Sequence, residues 1–488
     1  MLFPKHSETE MSNTKTPPIL FFLIVGLFIA ARLWRLSNYP LWLDEIFSFN
    51  IARRGYGELI RVAVWDTVHP PFFYLLLKMW IGIGGTSLSW LRLFPALTAI
   101  AAIIPFYLLC KELRLHRAEI STALLLMAVN GYLIYYAHEL RMYSLLFFVT
   151  LCSVWLFMRW VNSEERQLPN LAWLFAINLL LIYTHYFGWL VVGSELIYLL
   201  FLERRRWLSF FVSNALLCLC FAPWFYLVAR AVIERRGTTT NLSPLTSPHV
   251  SDFIWFYATM HGSFSVPRTT TLGLIIFGGP LLVWEWRAMR GYEKVSPMLS
   301  WGLALFSFLP VLIAFFASWL LPQPVWEDKY LIVAAAPYFI LIALSVNRLR
   351  PHWMRMTVIT FVIAWAVVAG VGAMRSETKI RWDVLARTMS EAELTRTDRV
   401  LVFAFGDFVA APLELSLYQE GEHRFDVCSV REITDLQGTH YWVAVRDTSW
   451  RGAILPQNWL KERGCQVGSK TSLGTPEQKV IIFAVDCH

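Results

Sequence analysis

Residues 135–160 read YYAHELRMYSLLFFVTLCSVWLFMRW. From Met142 the run carries no charge until Arg159 and comes close to the ~20 residues a helix needs to cross a hydrocarbon core. Immediately before it, His138, Glu139 and Arg141 crowd a turn too short to be a flexible loop. Membrane-length apolar runs recur along the first three-quarters of the chain, near 18–36, 91–110, 119–137, 142–160, 170–186, 188–202, 208–229, 270–286, 298–320, 330–347 and 356–374, eleven in all. The fold class is therefore a polytopic α-helical membrane protein.

Composition agrees. Of 488 residues 56% are hydrophobic and 16% aromatic. Only 16% are charged, against roughly 25% in soluble domains. The 43 Lys and Arg exceed the 35 Asp and Glu, but the excess lies in short clusters between apolar runs. That pattern marks membrane topology rather than a nucleic-acid face. With 25 Gly, 23 Pro and seven Cys, collagen-like, disordered and disulfide-scaffold classes are excluded. The first residues, MLFPKHSETEMSNTKTPP, are polar and no small-residue cleavage site precedes Arg32, so the first run reads as an uncleaved span.

Lys and Arg collect on the cytoplasmic side, and four clusters must share one side: Lys111, Arg114 and Arg117; Arg204, Arg205 and Arg206; Arg287, Arg290 and Lys294; Arg348, Arg350 and Arg355. If that side is cytoplasmic, the outward connections are a long loop at 37–90, AHELRM, YTHYF, a loop at 230–269 and PQPVWEDK, and the C-terminal segment also lies outside. The stretch HPPFFYLLLKMWIGIGG (69–85) is short for a span and carries Lys78 at its centre. It reads as a membrane-surface helix within the first outer loop.

The expected division is a membrane domain over 1–374 and a small extracytoplasmic α/β domain over 375–488. In the latter RVLVFAFGD, FVAAPLELSLYQE, THYWVAVRD, WLKERG and VIIFAVDC alternate as strand, helix, strand, helix and strand. Cys110, Cys152, Cys218 and Cys220 lie in apolar runs as packing groups. Among Cys428, Cys465 and Cys487 an outside location permits one disulfide and leaves one thiol over.

The chemistry-bearing residues gather on the outward side. Asp44 and Glu45 follow Leu41, Trp42 and Leu43 at the mouth of the first span. Adjacent carboxylates diverge, so one can act on a substrate hydroxyl while the other holds a helix end or a metal; the pair reads equally as a helix start. His69, after Asp66 and before Pro70 and Pro71, is a proton carrier, a ligand or a helix cap. Arg141 has the planar fork that suits phosphate, with Glu139 to orient it or bind a cation; a structural Arg–Glu pair is the alternative. Lys329 and Tyr330 stand where a cation meets an anionic headgroup, and His185 ends the fifth span. Arg92 either snorkels or faces an anion. Glu195, within a span, reads as a hydrogen-bonded interhelical group. No Gly-rich phosphate loop is present, so a donor would arrive through the membrane rather than as a nucleotide.

The order LWLDE, HPPFFYLLL, LRL, YYAHELRMYSLL, YTHYF, DKYLI resembles the GT-C superfamily of polyprenyl-phosphate-dependent glycosyltransferases, in the branch similar to protein O-mannosyltransferases and aminoarabinose transferases. The resemblance covers about residues 18–350. It implies inverting transfer of one sugar from a polyprenyl-phosphate carrier to an acceptor hydroxyl of a protein, lipid or glycan, on the outer face of the plasma (inner) membrane. Asp44 would be the general base and Glu45 its partner in an acidic pair. Arg92, Arg141, Lys329 and Tyr330 would hold the donor phosphate, supported by His69, His138, Glu139 and His185. Relatives often carry Arg at the position of Lys329, and the aminoarabinose branch tends to Glu-Lys where this chain has Val68 and His69. A divalent metal therefore stays open as a cofactor. The rival reading is a polytopic transporter of a lipid-linked or small polar solute, which commonly shows inverted repeats and paired broken helices; the sequence displays neither.

Overall fold

The computed structural model describes residues 18–163, 167–234, 247–262, 267–290, 297–375, 384, 399–403, 426–429, 440–447, 464–475 and 478–487. The chain divides into two compact units. One takes Met1–Trp34, Ile51–Gly85 and Arg92–Arg375; the other takes Arg35–Asn50, Thr86–Leu91 and Ser376–His488.

Each of the eleven apolar runs falls on helix. α1 (Pro18–Leu33) takes the first, and the expected outer loop folds as α2 (Leu43–Arg53), α3 (Tyr56–Asp66) and α4 (Phe72–Gly84). The second run is divided between α5 (Leu88–Ala101) and α6 (Ile103–Glu112), the third between α7 (Arg117–Val129) and α8 (Gly131–Ala137). Then come α9 (Tyr143–Asn162), α10 (Gln167–Thr184), α11 (Gly188–Leu202) and α12 (Trp207–Glu234). The loop helix α13 (Val250–Met260) precedes α14 (Pro267–Met289) and α15 (Pro297–Leu320). A 3-10 turn, Asp328–Ala334, leads into α16 (Ala335–Asn347), and α17 (His352–Arg375) follows. Among the described residues six helices are long and apolar enough to cross a membrane, and a seventh if α7 and α8 form one span. α1, α4, α10 and α11 are shorter apolar helices.

α9 and the helix through α16 form the buried centre, with 83% and 89% of their apolar windows covered, whereas α12 and α17 have 22% and 17% covered. A helix apolar all round must be enclosed by protein or face lipid, and these two pairs take the two options.

The third run is not the continuous span its hydropathy suggests: α7 and α8 meet at 60°. Asn130, extended at ψ 117°, ends one helix and caps the next, its side-chain oxygen accepting from Leu133 N–H at 3.0 Å. Its amide nitrogen donates to the Met260 carbonyl at 2.6 Å. On the other side of the break the guanidinium of Arg32, from α1, donates to the carbonyls of Met127 at 2.6 Å and Ala128 at 2.7 Å. A cation at a helix C-terminus satisfies orphan carbonyls and complements the dipole. The broken backbone thus has protein partners, which a low-dielectric setting requires.

The basic clusters also hold helix ends. Arg206 donates to the carbonyls of Trp160, in the last turn of α9, and of Ser163 just past its end, and Arg348 Nε donates to Glu119 at 2.8 Å.

In the second unit the described strands are β1 (Arg399–Phe403), β2 (Asp426–Ser429), β3 (His440–Asp447), β4 (Cys465–Thr475) and β5 (Gln478–Cys487). They form one mixed sheet in the order β2-β1-β3-β5-β4. β1 is parallel to both β2 and β3, and β5 is antiparallel to both β3 and β4. β1, β3 and β5 coincide with the three strands expected from sequence. β2 and β4 were not expected: β4 reads CQVGSKTSLGT, poor in β-branched and aromatic residues, and gains its conformation from pairing along β5 through a register shift at Val467/Lys470. The two helices expected between strands, FVAAPLELSLYQE and WLKERG, lie outside the described residues, as do the crossovers that parallel pairing demands. Cys465 is disulfide-bonded and is in register with Cys487.

Candidate active site

In the membrane unit several connections distant in sequence deliver side chains to one place. The end of α3 and the Pro-Pro approach to α4 carry Asp66 and His69. The turn between α8 and α9 carries Arg141, with Tyr143 opening α9; the turn between α10 and α11 carries His185 and Phe187; the 3-10 turn carries Lys329 and Tyr330.

Tyr330 is the ring around which the others gather. His185 lies 4.5 Å from its centroid, Phe187 5.3 Å, His69 5.7 Å and Tyr143 6.2 Å, and the two imidazoles are edge to face at 5.2 Å. Arg141 brings Nη2 to 3.5 Å from His69 Nε2, and Asp66 Oδ2 lies 3.7 Å from His69 Nδ1. The guanidinium also sits 6.0 Å from the Tyr143 ring. Arg141 and His69 are each 3% exposed and His185 2%. An Arg so enclosed holds its charge in a low-dielectric surround, where attraction for an anion is far stronger than in water.

The tautomer of His185 follows from its backbone contact: Phe187 N–H donates to Nδ1 at 3.1 Å, so Nε2 carries the proton. That Nε2 is buried without a hydrogen-bond partner among the described residues. Burial, then the charges of His69, Arg141 and Lys329, holds the imidazole well below its usual titration range. His185 is thus a neutral donor beside two cationic side chains.

Of the residues singled out in the sequence, His69, Arg141, His185, Lys329 and Tyr330 come together in this cluster. His138 brings Nε2 to 3.0 Å from the Arg32 carbonyl at the end of α1. Glu139 is buried in the same turn, and its carbonyl accepts from Arg141 N–H at 2.7 Å. Arg92 is buried in α5 at 3% exposure rather than reaching for the surface. Asp44 and Glu45 belong to the other unit, where both lie in the first turn of α2. Glu45 is buried and reaches back, its Oε2 accepting from Trp42 N–H at 3.2 Å; Asp44 is half-buried and its carbonyl accepts from Ser48 Oγ at 3.1 Å. The two carboxylates therefore differ in setting, and Glu45 acts as the helix start.

Tyr143, Phe187 and Tyr74, whose phenol is buried beside Arg141, were not singled out in the sequence. Aromatic residues are too frequent in this chain, with 35 Phe and 18 Tyr, for composition to mark them. Among the described residues no group of three or more His, Cys, Asp and Glu is placed to hold a metal ion. The pairing of His69 with one carboxylate and one guanidinium is a poor metal donor set, and no step is assigned to a metal.

Comparison with solved structures places this architecture. ArnT from Cupriavidus metallidurans bound to undecaprenyl phosphate superposes with a TM-score of 0.57 over 95% of this chain and 97% of that one, at 14% identity. The chain has the GT-C fold. The Archaeoglobus fulgidus oligosaccharyltransferase tethered with an acceptor peptide matches with a TM-score of 0.50 over 81% of this chain and 63% of that one, at 13% identity. In sequence the chain is similar to Protein O-mannosyl-transferase 1 of Mus musculus, 29% identical over 175 residues, which is 31% of this chain and 22% of that protein. The Homo sapiens protein of the same name is 27% identical over 180 residues, 32% of this chain and 23% of that one. The matched region is thus less than a quarter of these curated relatives. No protein-family model matches.

Proposed function

We propose that this chain is an inverting glycosyltransferase that moves a sugar from a polyprenyl-phosphate carrier to an acceptor hydroxyl at the extracytoplasmic face of the plasma (inner) membrane, with eleven crossings and the 375–488 region outside. The observation that carries this reading is the enclosed Arg141, set against His69 and the Tyr330 ring on the GT-C fold. A buried guanidinium fork beside a neutral histidine donor suits a phosphate that arrives along the membrane. ArnT, of the same fold, was solved with undecaprenyl phosphate bound, and the sequence likeness is to O-mannosyltransferases.

In this reaction Asp44 takes the proton of the acceptor hydroxyl as its oxygen attacks the anomeric carbon. The bond from that carbon to the phosphate oxygen breaks, and the electron pair leaves on polyprenyl phosphate. A general base contributes about 10²–10⁴-fold. Arg141, Lys329 and Arg92 stabilise the charge growing on the departing phosphate, with Tyr330 and His185 as neutral donors. One displacement inverts the anomeric centre and needs no glycosyl-enzyme. The disulfide at Cys465 supports an outside location for the terminal region, because such bonds persist in oxidising compartments.

The test combines mass analysis of surface glycans, glycolipids and proteins from cells with and without the gene with the Asp44→Asn variant. A hexose-, pentose- or amino-sugar-sized loss without the gene names the donor class, and Asp44→Asn, inserted normally in the membrane, reproduces that loss. Unchanged transfer by Asp44→Asn removes the proposed base, and glycans that are the same with and without the gene remove the transferase.

A further inference from the structure

Away from the active site, α9, α10 and α11 are tied together by three polar side chains that close on one another. Ser153 Oγ lies 2.7 Å from Asn178 Oδ1 and 2.7 Å from Glu195 Oε1, and Asn178 Nδ2 lies 2.8 Å from Glu195 Oε2. All three residues are buried, Ser153 and Glu195 completely. Three contacts of this length each require a hydrogen between the two heavy atoms. Ser153 brings one hydrogen, and the Asn178 amide supplies one to this ring; a carboxylate supplies none.

With the amide as placed, Asn178 donates to Oε2 and the single hydroxyl hydrogen of Ser153 can serve only Asn178 Oδ1 or Glu195 Oε1. The other contact would then set two bare acceptors at 2.7 Å. Exchanging the amide oxygen and nitrogen does not help. The nitrogen then donates to Ser153 and the hydroxyl serves Oε1, but the amide oxygen faces Oε2 at 2.8 Å with nothing between them. Either way the missing hydrogen has to sit on Glu195.

We propose that Glu195 is a buried proton-binding site: its side chain is a neutral carboxylic acid whose proton closes a ring of three hydrogen bonds with Ser153 and Asn178. With the proton in place the acid donates to Ser153, Ser153 to Asn178, and Asn178 back to the acid, so every contact is made. No Lys, Arg, His or second carboxyl among the described residues of α9, α10, α11, α12 or α15 forms a hydrogen bond or ion pair with it. A lone carboxylate there would be an unpaired buried charge, whereas the acid leaves a satisfied polar network. The ring cross-links three helices at a fixed register without placing a charge in the membrane.

Infrared spectroscopy of the full-length protein reads this directly. A carbonyl stretch of a protonated carboxylic acid is expected that disappears in Glu195→Gln and stays in place as the pH is moved from about 5 to about 7. The glutamine amide can donate to Ser153 and accept from Asn178, so Glu195→Gln is expected to melt where the parent does, while Glu195→Ala melts several degrees lower. Absence of a protonated-acid band lost in Glu195→Gln, its titration within that pH range, or a Glu195→Gln variant as unstable as Glu195→Ala would each overturn the proposal.

Discussion

Arg141 and His69 meet at 3.5 Å although 72 positions separate them, and the quality of that site rests on the shape of the guanidinium. A planar fork can face two phosphate oxygens at once, whereas Lys offers a point charge. Arg141→Lys is therefore expected to keep membrane insertion and lower kcat/KM for a lipid-phosphate sugar by about 10²–10³-fold, the usual loss of one oxyanion-stabilising donor. An unchanged kcat/KM would remove Arg141 from the proposed phosphate site. A second residue-scale expectation concerns acid. Burial lowers His261, at the end of α13, from its ordinary value of 6.5 to about 3. Above 6.5 both folded and unfolded chains hold it neutral. Below that value the unfolded chain takes the proton and the folded one does not until about 3, so its stabilising effect is present above 6.5 and is lost as the pH falls through this window. The loss is at most about 1.4 kcal/mol per pH unit. His185 shifts in the same direction. Melting temperature in detergent is expected to fall as the pH drops from about 7 to about 5, and less steeply in His261→Gln; parallel slopes for parent and variant would count against this origin.

At the scale of the element, the break between α7 and α8 shows how a helix can be interrupted inside an apolar run. Arg32 occupies the carbonyl end and Asn130 the N–H end, so the interruption is closed by side chains of the protein. A transporter reading would want such ends for an ion; here the negative end is filled by a guanidinium. Arg32→Met would strand the carbonyls of Met127 and Ala128, and is expected to cost about 2–4 kcal/mol from two buried acceptors without partners. Asn130→Leu removes one cap and the bond to Met260, at about 1–2 kcal/mol. Thermal unfolding in detergent measures both, and an Arg32→Met protein as stable as the parent would show that the carbonyls find other donors. The run 119–137 looks continuous because hydropathy sums over residues. Asn130 is a weak signal alone: it caps α8 through Leu133 N–H, but the partner that makes it a clamp, Met260, lies 130 positions away.

Across the whole molecule, the compartment of each segment is the property that joins chemistry to topology. An outside terminal region implies that Cys465 resists maleimide until reductant is added, whereas a cytosolic one would leave it reactive. Tags in the 37–90 region and after residue 375 should be reached from outside intact cells, and labelling only after permeabilisation would contradict the orientation taken from the basic clusters.

The apolar runs, their helical state, the membrane class and three of the five described strands were legible in the linear sequence, because transfer of apolar side chains and strand alternation are properties of adjacent residues. The motifs also named five members of the Tyr330 cluster, since ionisable residues at the mouths of apolar runs are conspicuous. The sequence could not show that His138 would bond the Arg32 carbonyl, that Glu45 would cap α2, or that Tyr143 and Phe187 would lie beside Arg141 and His185. Those outcomes depend on which turns arrive at the same point and on which donors and acceptors are still unsatisfied when they do, and only the packed chain decides both.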